Sequence, residues 1–117
     1  MAKTKKEPKP KKPKVVEPYW QDLTSLFFQF CKEKFNEIPS FDGSGPRDLK
    51  NIIQALRKRA EDKQVEWTHE VATTRFRHFL EYCYADRWLQ DNFLLQNINR
   101  QKDKIFFNIS RQQTNGQ

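Results

Sequence analysis

The side chains of this chain that most often perform catalysis or hold metals are two cysteines and two histidines: Cys31, His69, His78 and Cys83. A zinc site built from all four would have ligand spacings of 38, 9 and 5 residues, without the close ligand pairs that zinc modules use. A nucleophilic site needs a Ser or Cys beside a base, and neither histidine has one at a matching helical offset. The sequence therefore indicates no metal site, no cofactor and no catalytic residue, and we expect a protein that is not an enzyme.

Each cysteine falls on the apolar face of a predicted helix and has no CxxC neighbour. This placement is typical of buried thiols in a reducing compartment, and a disulfide between the two helices is the alternative. The basic N-terminus is not followed by an apolar h-region, and no run approaches the roughly 18 apolar residues of a membrane span. We therefore expect neither a signal peptide nor a membrane partner, and a cytoplasmic location.

The charge of the chain is concentrated at its start. Its 22 Lys and Arg outnumber its 15 Asp and Glu, and residues 1–17 alone supply +5 of the net +7. This Lys- and Pro-rich segment has too few apolar residues to offset its ordering entropy, so we predict a disordered tail. Its lysines suit non-specific contact with nucleic-acid phosphates, because each is a point charge. They are Lys3, Lys5, Lys6, Lys9, Lys11, Lys12 and Lys14. A solubilising tail without a partner is the alternative.

An amphipathic pattern predicts a first helix that begins at Pro18 and ends near Asn36. Trp20 and Phe28 lie beside its apolar stripe and widen it. Such aromatic residues usually belong to a core. If both were exposed, they would indicate a partner-binding or dimer surface instead.

Three further helical stretches follow a break at residues 38–46, IPSFDGSGP. The second helix should run from about Pro46 to Asp62, and the third from a cap at Thr68 to Ala85. Asp86 can cap a turn, after which a last helix places apolar residues on one face. These are Leu94, Leu95, Ile98, Ile105 and Ile109, with Gln101 between them. The fold prediction is an all-α bundle of four or five helices over residues 18–110, with a frayed end at 111–117.

Arg57, Lys58 and Arg59 form the basic cluster of the predicted folded part. Glu61 and Asp62 follow at once and partly neutralise it, so the cluster is either a solvated helix face or a secondary nucleic-acid contact. The connections between the predicted helices, about nine and about five residues long, exceed those of a helix-turn-helix. Sequence-specific reading of a major groove is therefore not indicated.

Four segments of the chain resemble a known type of domain. They are FFQFCKEKFN at 27–36, DLKNIIQAL at 48–56, HFLEYCYADRW at 78–88 and NFLLQNINRQKDKI at 92–105. Their order is similar to that of a small helical domain near the C-terminal end of phage-type and plasmid-type replication initiator and replisome-organiser proteins. The resemblance implies an accessory domain that joins DNA or a replication protein partner, with Trp88, Phe93 and Ile98 structural rather than contacting.

Proteins of that type usually carry a winged-helix or helix-turn-helix domain upstream, where this chain has the Lys/Pro-rich tail. Their DNA-binding residues therefore have no counterpart here, and the chain is either a stand-alone version or a module of something larger. The sequence favours a non-enzymatic binding module in DNA replication or phage and plasmid biology that contacts nucleic acid through the tail. The alternative is a protein interaction module, homo-oligomeric or partner-binding, without a nucleic-acid role.

Overall fold

Five α-helices make up the folded domain. The computed structural model describes residues 17–39, 41 and 43–115, with side chains up to Arg111. The helices are α1 (Trp20–Phe35), α2 (Gly45–Asp62), α3 (His69–Ala85), α4 (Arg87–Asp91) and α5 (Leu95–Asn115), and no strand occurs in this part of the chain. The predicted all-α bundle is confirmed. The seven lysines of the tail lie outside the described residues. Within 17–115, no described helix is both long and apolar enough to cross a membrane.

Helix α3 is the centre of the packing, because α1, α2, α4 and α5 all contact it. Helices α2 and α5 also pack against each other, whereas α1 and α2 meet only weakly. The core consists of the apolar stripes that the helical periodicity places inward. Its largest fully buried side chains are Phe27, Phe30, Phe76, Phe79, Leu23, Leu49, Ile52, Ile53, Leu80, Leu89, Ile98 and Ile105.

The helix ends that the sequence specifies most clearly have the expected caps. The Thr68 hydroxyl accepts a hydrogen bond from the Val71 N–H at 3.2 Å, and the Asp86 carboxylate accepts one from the Leu89 N–H at 3.0 Å. Each bond satisfies a backbone donor in the first turn of a helix, which otherwise has no partner there. The predicted starts of the third helix and of the short turn after Asp86 are thereby confirmed.

Three boundaries differ from those that the sequence predicts. Helix α1 begins at Trp20, because Pro18 and Tyr19 form a turn in front of it. Helix α5 begins one residue after Leu94, whose side chain is exposed rather than on the core face. The same helix continues to Asn115, five residues beyond the predicted end at 110. Ile109 is buried near that end and anchors the last described turns to the core.

Both cysteines are buried and free, so the disulfide alternative is wrong. Burial raises the pKa of the Cys31 thiol to about 12. Burial, together with the negative charge of Asp86, also raises the pKa of the Cys83 thiol. Low accessibility and a suppressed thiolate form both make a cysteine inert, so these two side chains act as small apolar core residues.

Phe93 joins three parts of the bundle through aromatic contacts. Its ring lies 6.3 Å from that of Phe27 and 5.9 Å from that of Phe30, both stacked, and 5.1 Å from that of Phe35. Tyr84 of α3 completes the group at 6.4 Å. Aromatic pairs at these distances add roughly 0.5–1.5 kcal/mol each beyond the area that they bury. Phe93 therefore holds the α4–α5 connection onto both α1 and α3.

Two carboxylates attach α5 to its neighbours. Asp48, buried in the first turn of α2, accepts hydrogen bonds from the Ser44 hydroxyl at 2.9 Å and from the Asn99 amide at 3.0 Å. Asp86 lies 2.8 Å from the Lys104 ammonium. The Asp86 carboxylate accepts hydrogen bonds from the Lys104 ammonium and from the Leu89 N–H. These bonds hold the pKa of the Asp86 carboxyl below its ordinary value. The two carboxylates fix the register of α5 against α2 and α3.

Replacement of Phe93 by Ala is expected to lower the free energy of unfolding by about 3–5 kcal/mol, because it leaves a cavity between four aromatic rings. Urea denaturation followed by circular dichroism measures the change. Phe107→Ala is the matched control: Phe107 is 62% exposed, and its removal should change stability by at most about 0.5 kcal/mol. Equal effects of the two substitutions would contradict the role given to Phe93.

Asp86→Asn keeps an oxygen for the Leu89 N–H but loses the ion pair with Lys104, so we expect a loss of about 0.5–1 kcal/mol at pH 7. Because the carboxyl pKa is lower in the folded state, the ionised carboxylate stabilises the fold at pH values above the pKa of the unfolded chain, about 4. This contribution disappears as the pH falls through the pKa of the folded state. Urea titrations from pH 7 to about pH 2 should therefore show the two stability curves converging at acid pH. Asp91→Asn, at an exposed site without an ion pair among the described residues, is the control. A constant difference between the Asp86→Asn and wild-type curves would contradict this assignment.

Candidate nucleic-acid interface

Glu17 fixes the point at which the basic tail leaves the domain. Its carboxylate accepts the Trp67 indole N–H at 3.0 and 3.2 Å and lies 3.5 Å from the Arg57 guanidinium. Its side chain is only 13% exposed. The sequence places Glu17 in the predicted tail, residues 1–17. Instead, Glu17 belongs to the folded domain, and the Trp67 indole is its hydrogen-bond donor.

A groove of about 810 Å³ lies beside this anchor, between the start of α1 and the outer face of α2. It exists because α1 and α2 both pack on α3 but meet each other only weakly. We call it the α1–α2 groove. It is lined by Glu17, Trp20, Pro46, Arg47, Lys50, Ile53, Gln54, Arg57, Lys58 and Glu61. Because Glu17 is part of its wall, the tail begins at its edge.

The three residues of the predicted secondary patch point in different directions. Arg57 lies between the carboxylates of Glu17 and Glu61, at 3.5 and 3.4 Å. Arg59 covers the Phe106 ring at 4.6 Å and donates to the Ser110 hydroxyl at 3.1 Å, and desolvation there lowers its pKa. Lys58 extends into solvent, 76% exposed, and forms a 3.6 Å ion pair with Asp62. The structure thus does not bring the three cations together on one surface.

The two aromatic residues proposed as a partner-binding pair, Trp20 and Phe28, are half-buried. Both pack against Phe41 of the α1–α2 loop. The centre of the Phe41 ring lies 6.5 Å from that of Trp20 and 5.2 Å from that of Phe28. These contacts extend the core outward. The edge of Trp20 that remains accessible faces the α1–α2 groove, so Trp20 and Phe28 do not form a joint exposed surface.

Two other aromatic side chains are more than half exposed: Trp88 at 51% and Phe107 at 62%. Trp88 follows Asp86 by two residues and Phe107 follows Lys104 by three, and the Asp86–Lys104 ion pair links the start of α4 to α5. On α5, Phe107 belongs to a stripe of exposed residues at spacings of four, three and four, opposite the buried face. We call the region the outer α4–α5 surface. It comprises Arg87, Trp88, Arg100, Lys104, Phe107 and Arg111.

The outer α4–α5 surface contains arginines that form no ion pair within the described chain, beside one exposed carboxylate, Asp103. Lys104 is paired with Asp86, whereas Arg87 and Arg100 have no carboxylate partner among the described residues. The Arg111 guanidinium lies 5.7 Å from the centre of the Phe107 ring, an arrangement that leaves its charge available to an anion. Exposed rings beside free arginines can stack bases while the cations contact phosphates.

Sequence reasoning missed this surface. It interprets Trp88, Phe93 and Ile98 together as structural, yet Phe93 and Ile98 are buried and Trp88 is half exposed. The pattern of Arg100, Lys104, Phe107 and Arg111 is visible in the sequence as a helix face opposite the core stripe. Without the position of α4, however, periodicity does not show which aromatic residues the neighbouring helices leave uncovered.

The two histidines are exposed, and each contacts a neighbouring side chain. The His69 imidazole lies 2.9 Å from the Asp22 carboxylate and edge-on to the Tyr19 ring at 5.4 Å. The His78 ring packs on Tyr82 at 4.9 Å. Among the described residues, no three His, Cys, Asp or Glu side chains come together as a possible metal site.

Removal of the Glu17 carboxylate is expected to destabilise the tail anchor. In Glu17→Ala the Trp67 indole and Arg57 both lose an acceptor, so the free energy of unfolding should fall by about 1–2 kcal/mol. The Trp67 indole N–H should also exchange faster with solvent in ¹⁵N-resolved NMR spectra. Glu66→Ala, an exposed site next to Trp67, is the control. Unchanged Trp67 exchange in Glu17→Ala would contradict the anchor.

The described domain thus presents two surfaces with side chains that are accessible to a ligand. The outer α4–α5 surface offers exposed aromatic rings and free arginines. The α1–α2 groove offers an apolar floor, mixed charge and the origin of the basic tail. Comparison of the whole chain with protein-family models, with curated proteins and with solved structures finds no match.

Proposed function

We propose that this protein is a non-enzymatic binding module for single-stranded nucleic acid. The observation that carries the proposal is the pair of aromatic side chains, Trp88 and Phe107, exposed by more than half beside arginines without carboxylate partners. In this assignment the tail lysines supply electrostatic attraction, and the outer α4–α5 surface supplies contacts to bases.

Stacking favours single strands over duplexes. The faces of bases in a duplex are covered by their neighbours, whereas those of a single strand are accessible to side-chain rings. Stacking of one base on an aromatic side chain contributes about 1–3 kcal/mol and tolerates any base. Leaving Phe107 in water forgoes the roughly 1.5–3 kcal/mol that burial of a large apolar side chain provides. A ligand that covers the ring would recover part of this free energy.

The tail adds a salt-sensitive and sequence-independent component. Its seven lysines can neutralise up to seven phosphates, each of which releases condensed counterions. Lysine contributes charge without the planar fork that reads base edges or positions a phosphate pair. The tail would therefore bring nucleic acid to the domain without choosing a sequence, in keeping with the proposed non-specific binding.

The resemblance of residues 27–105 to the helical domain of replication initiators and replisome organisers supports a setting in phage or plasmid DNA replication. There the module would hold a strand, or join a replication protein, without reacting with either. The alternative, a protein interaction module without a nucleic-acid role, predicts no binding of oligonucleotides at low salt.

Binding of a fluorescein-labelled oligothymidine of about 15 nucleotides, followed by anisotropy at about 50 and 200 mM salt, tests the proposal. Trp88→Ala and Phe107→Ala should each weaken binding about tenfold, with an unchanged salt dependence, since each removes stacking but no charge. A chain that begins at Val16 keeps the Glu17 anchor and loses the lysines. For this shortened chain, the slope of the logarithm of the binding constant against the logarithm of the salt concentration should be smaller in magnitude by about five. Each lost phosphate contact accounts for roughly 0.7 of that difference on a single strand.

The matched control is Ile38→Ala, because Ile38 is an equally exposed apolar side chain on the loop after α1. Its affinity for the oligonucleotide should equal that of the wild type. Full affinity in both aromatic variants would remove the outer α4–α5 surface from the proposal. Failure of the full chain to bind single or double strands at low salt would overturn the nucleic-acid function and favour the protein interaction module.

A further inference from the structure

We propose that the α1–α2 groove binds an acidic segment of a partner protein, with an apolar side chain on its floor and carboxylates at Arg47 and Lys50. This inference is independent of the nucleic-acid function, because the outer α4–α5 surface contributes none of the residues that line the groove.

The floor of the groove is apolar and supported from behind. It consists of the accessible edge of Trp20, the Pro46 ring and the otherwise buried Ile53. Phe41 packs against the Trp20 ring, with 6.5 Å between the ring centroids. A volume of about 810 Å³ has room for two or three side chains of a bound peptide. Pre-formed concave sites with apolar floors and a few polar groups at the rim are typical of ligand-binding sites.

The charges of the groove are unevenly distributed along α2. Arg47 and Lys50, in the first turns of the helix, are exposed and have no ion pair among the described residues. At the other end, Arg57 is held by Glu17 and Glu61, and Lys58 is paired with Asp62. The end near Arg47 and Lys50 is therefore the part of the groove where positive charges have no ion-pair partner among the described residues.

This distribution favours an acidic peptide over the other possible occupants. A nucleic-acid strand carries negative charge along its whole length, and its phosphates would meet the carboxylates of Glu17 and Glu61 at the far end of the groove. The chain's own tail carries seven lysines, which Arg47 and Lys50 would repel. A peptide can place carboxylates at one end only and an apolar side chain beside them, which matches both the charge and the floor.

Selection from a random phage-displayed library of peptides of about 12 residues tests this inference with the full-length protein. We expect selected peptides to combine Asp or Glu with a neighbouring aliphatic or aromatic residue. The double variant R47E/K50E should bind these peptides at least about tenfold more weakly. This variant retains all seven tail lysines, so the comparison separates the groove from attraction to the tail. Lys32→Glu, an exposed lysine of α1 away from the groove, should bind them like the wild type.

The three tryptophan indole N–H signals in ¹⁵N-resolved NMR spectra locate each ligand, since Trp20 lines the groove, Trp88 lies on the outer α4–α5 surface, and Trp67 is bonded to Glu17. A selected peptide should move the Trp20 signal and leave that of Trp88 in place. Selection of no peptide, of peptides without acidic residues, or of peptides that R47E/K50E binds equally well would overturn the inference.

The same spectra keep this inference distinct from the proposed function. Oligothymidine should move the Trp88 signal, and this expectation does not depend on whether the groove binds peptides. If the oligonucleotide instead moves Trp20 and displaces the peptide, the groove belongs to nucleic acid and the acidic-segment assignment is wrong.

Discussion

The bundle depends on the aromatic contacts of Phe93. This residue lies in the connection between a five-residue helix and the longest helix of the domain, where local hydrogen bonding alone would specify little. By stacking on Phe27 and Phe30 of α1 and touching Tyr84 of α3, it ties three elements into one cooperative unit. Helix α5 exposes its outer stripe to solvent, and α1 packs on α3 rather than on α2, which leaves the groove open.

The elements of the fold were predictable because each is encoded locally. Apolar spacing gives four long helices, Thr68 and Asp86 cap their helices through their own side chains, and Cys31 and Cys83 lie on stripes that become core. Errors occur where a distant contact decides. The start of α1 at Trp20 accompanies a turn in which Glu17 bonds to Tyr19 and to Trp67, fifty residues away. Helix α5 also continues to Asn115, through the polar stretch at which composition predicts an end.

The candidate sites were less predictable than the helices, for a physical reason. Charge and aromatic content are properties of residues, whereas availability to a ligand is a property of their surroundings. Arg57 and Arg59 are prominent in the sequence, yet carboxylates hold the first and Phe106 and Ser110 hold the second. Arg47 and Arg100 have no basic residue directly beside them in the sequence, and both are left without ion pairs within the described chain. The cations that remain for partners are thus those that form no ion pair in the folded domain.

The anchoring of Glu17 has a consequence for avidity. The sixteen residues before it can extend no more than about 55 Å, at roughly 3.4 Å per residue, so each tail lysine stays within that radius of Glu17. If the tail holds a nucleic-acid strand, as proposed, that strand is confined to a small volume around the domain. A second contact with the domain would then be intramolecular, at an effective concentration on the order of millimolar. Two individually weak sites can in this way act as one stronger site, provided that Glu17 keeps the tether at its place on the bundle.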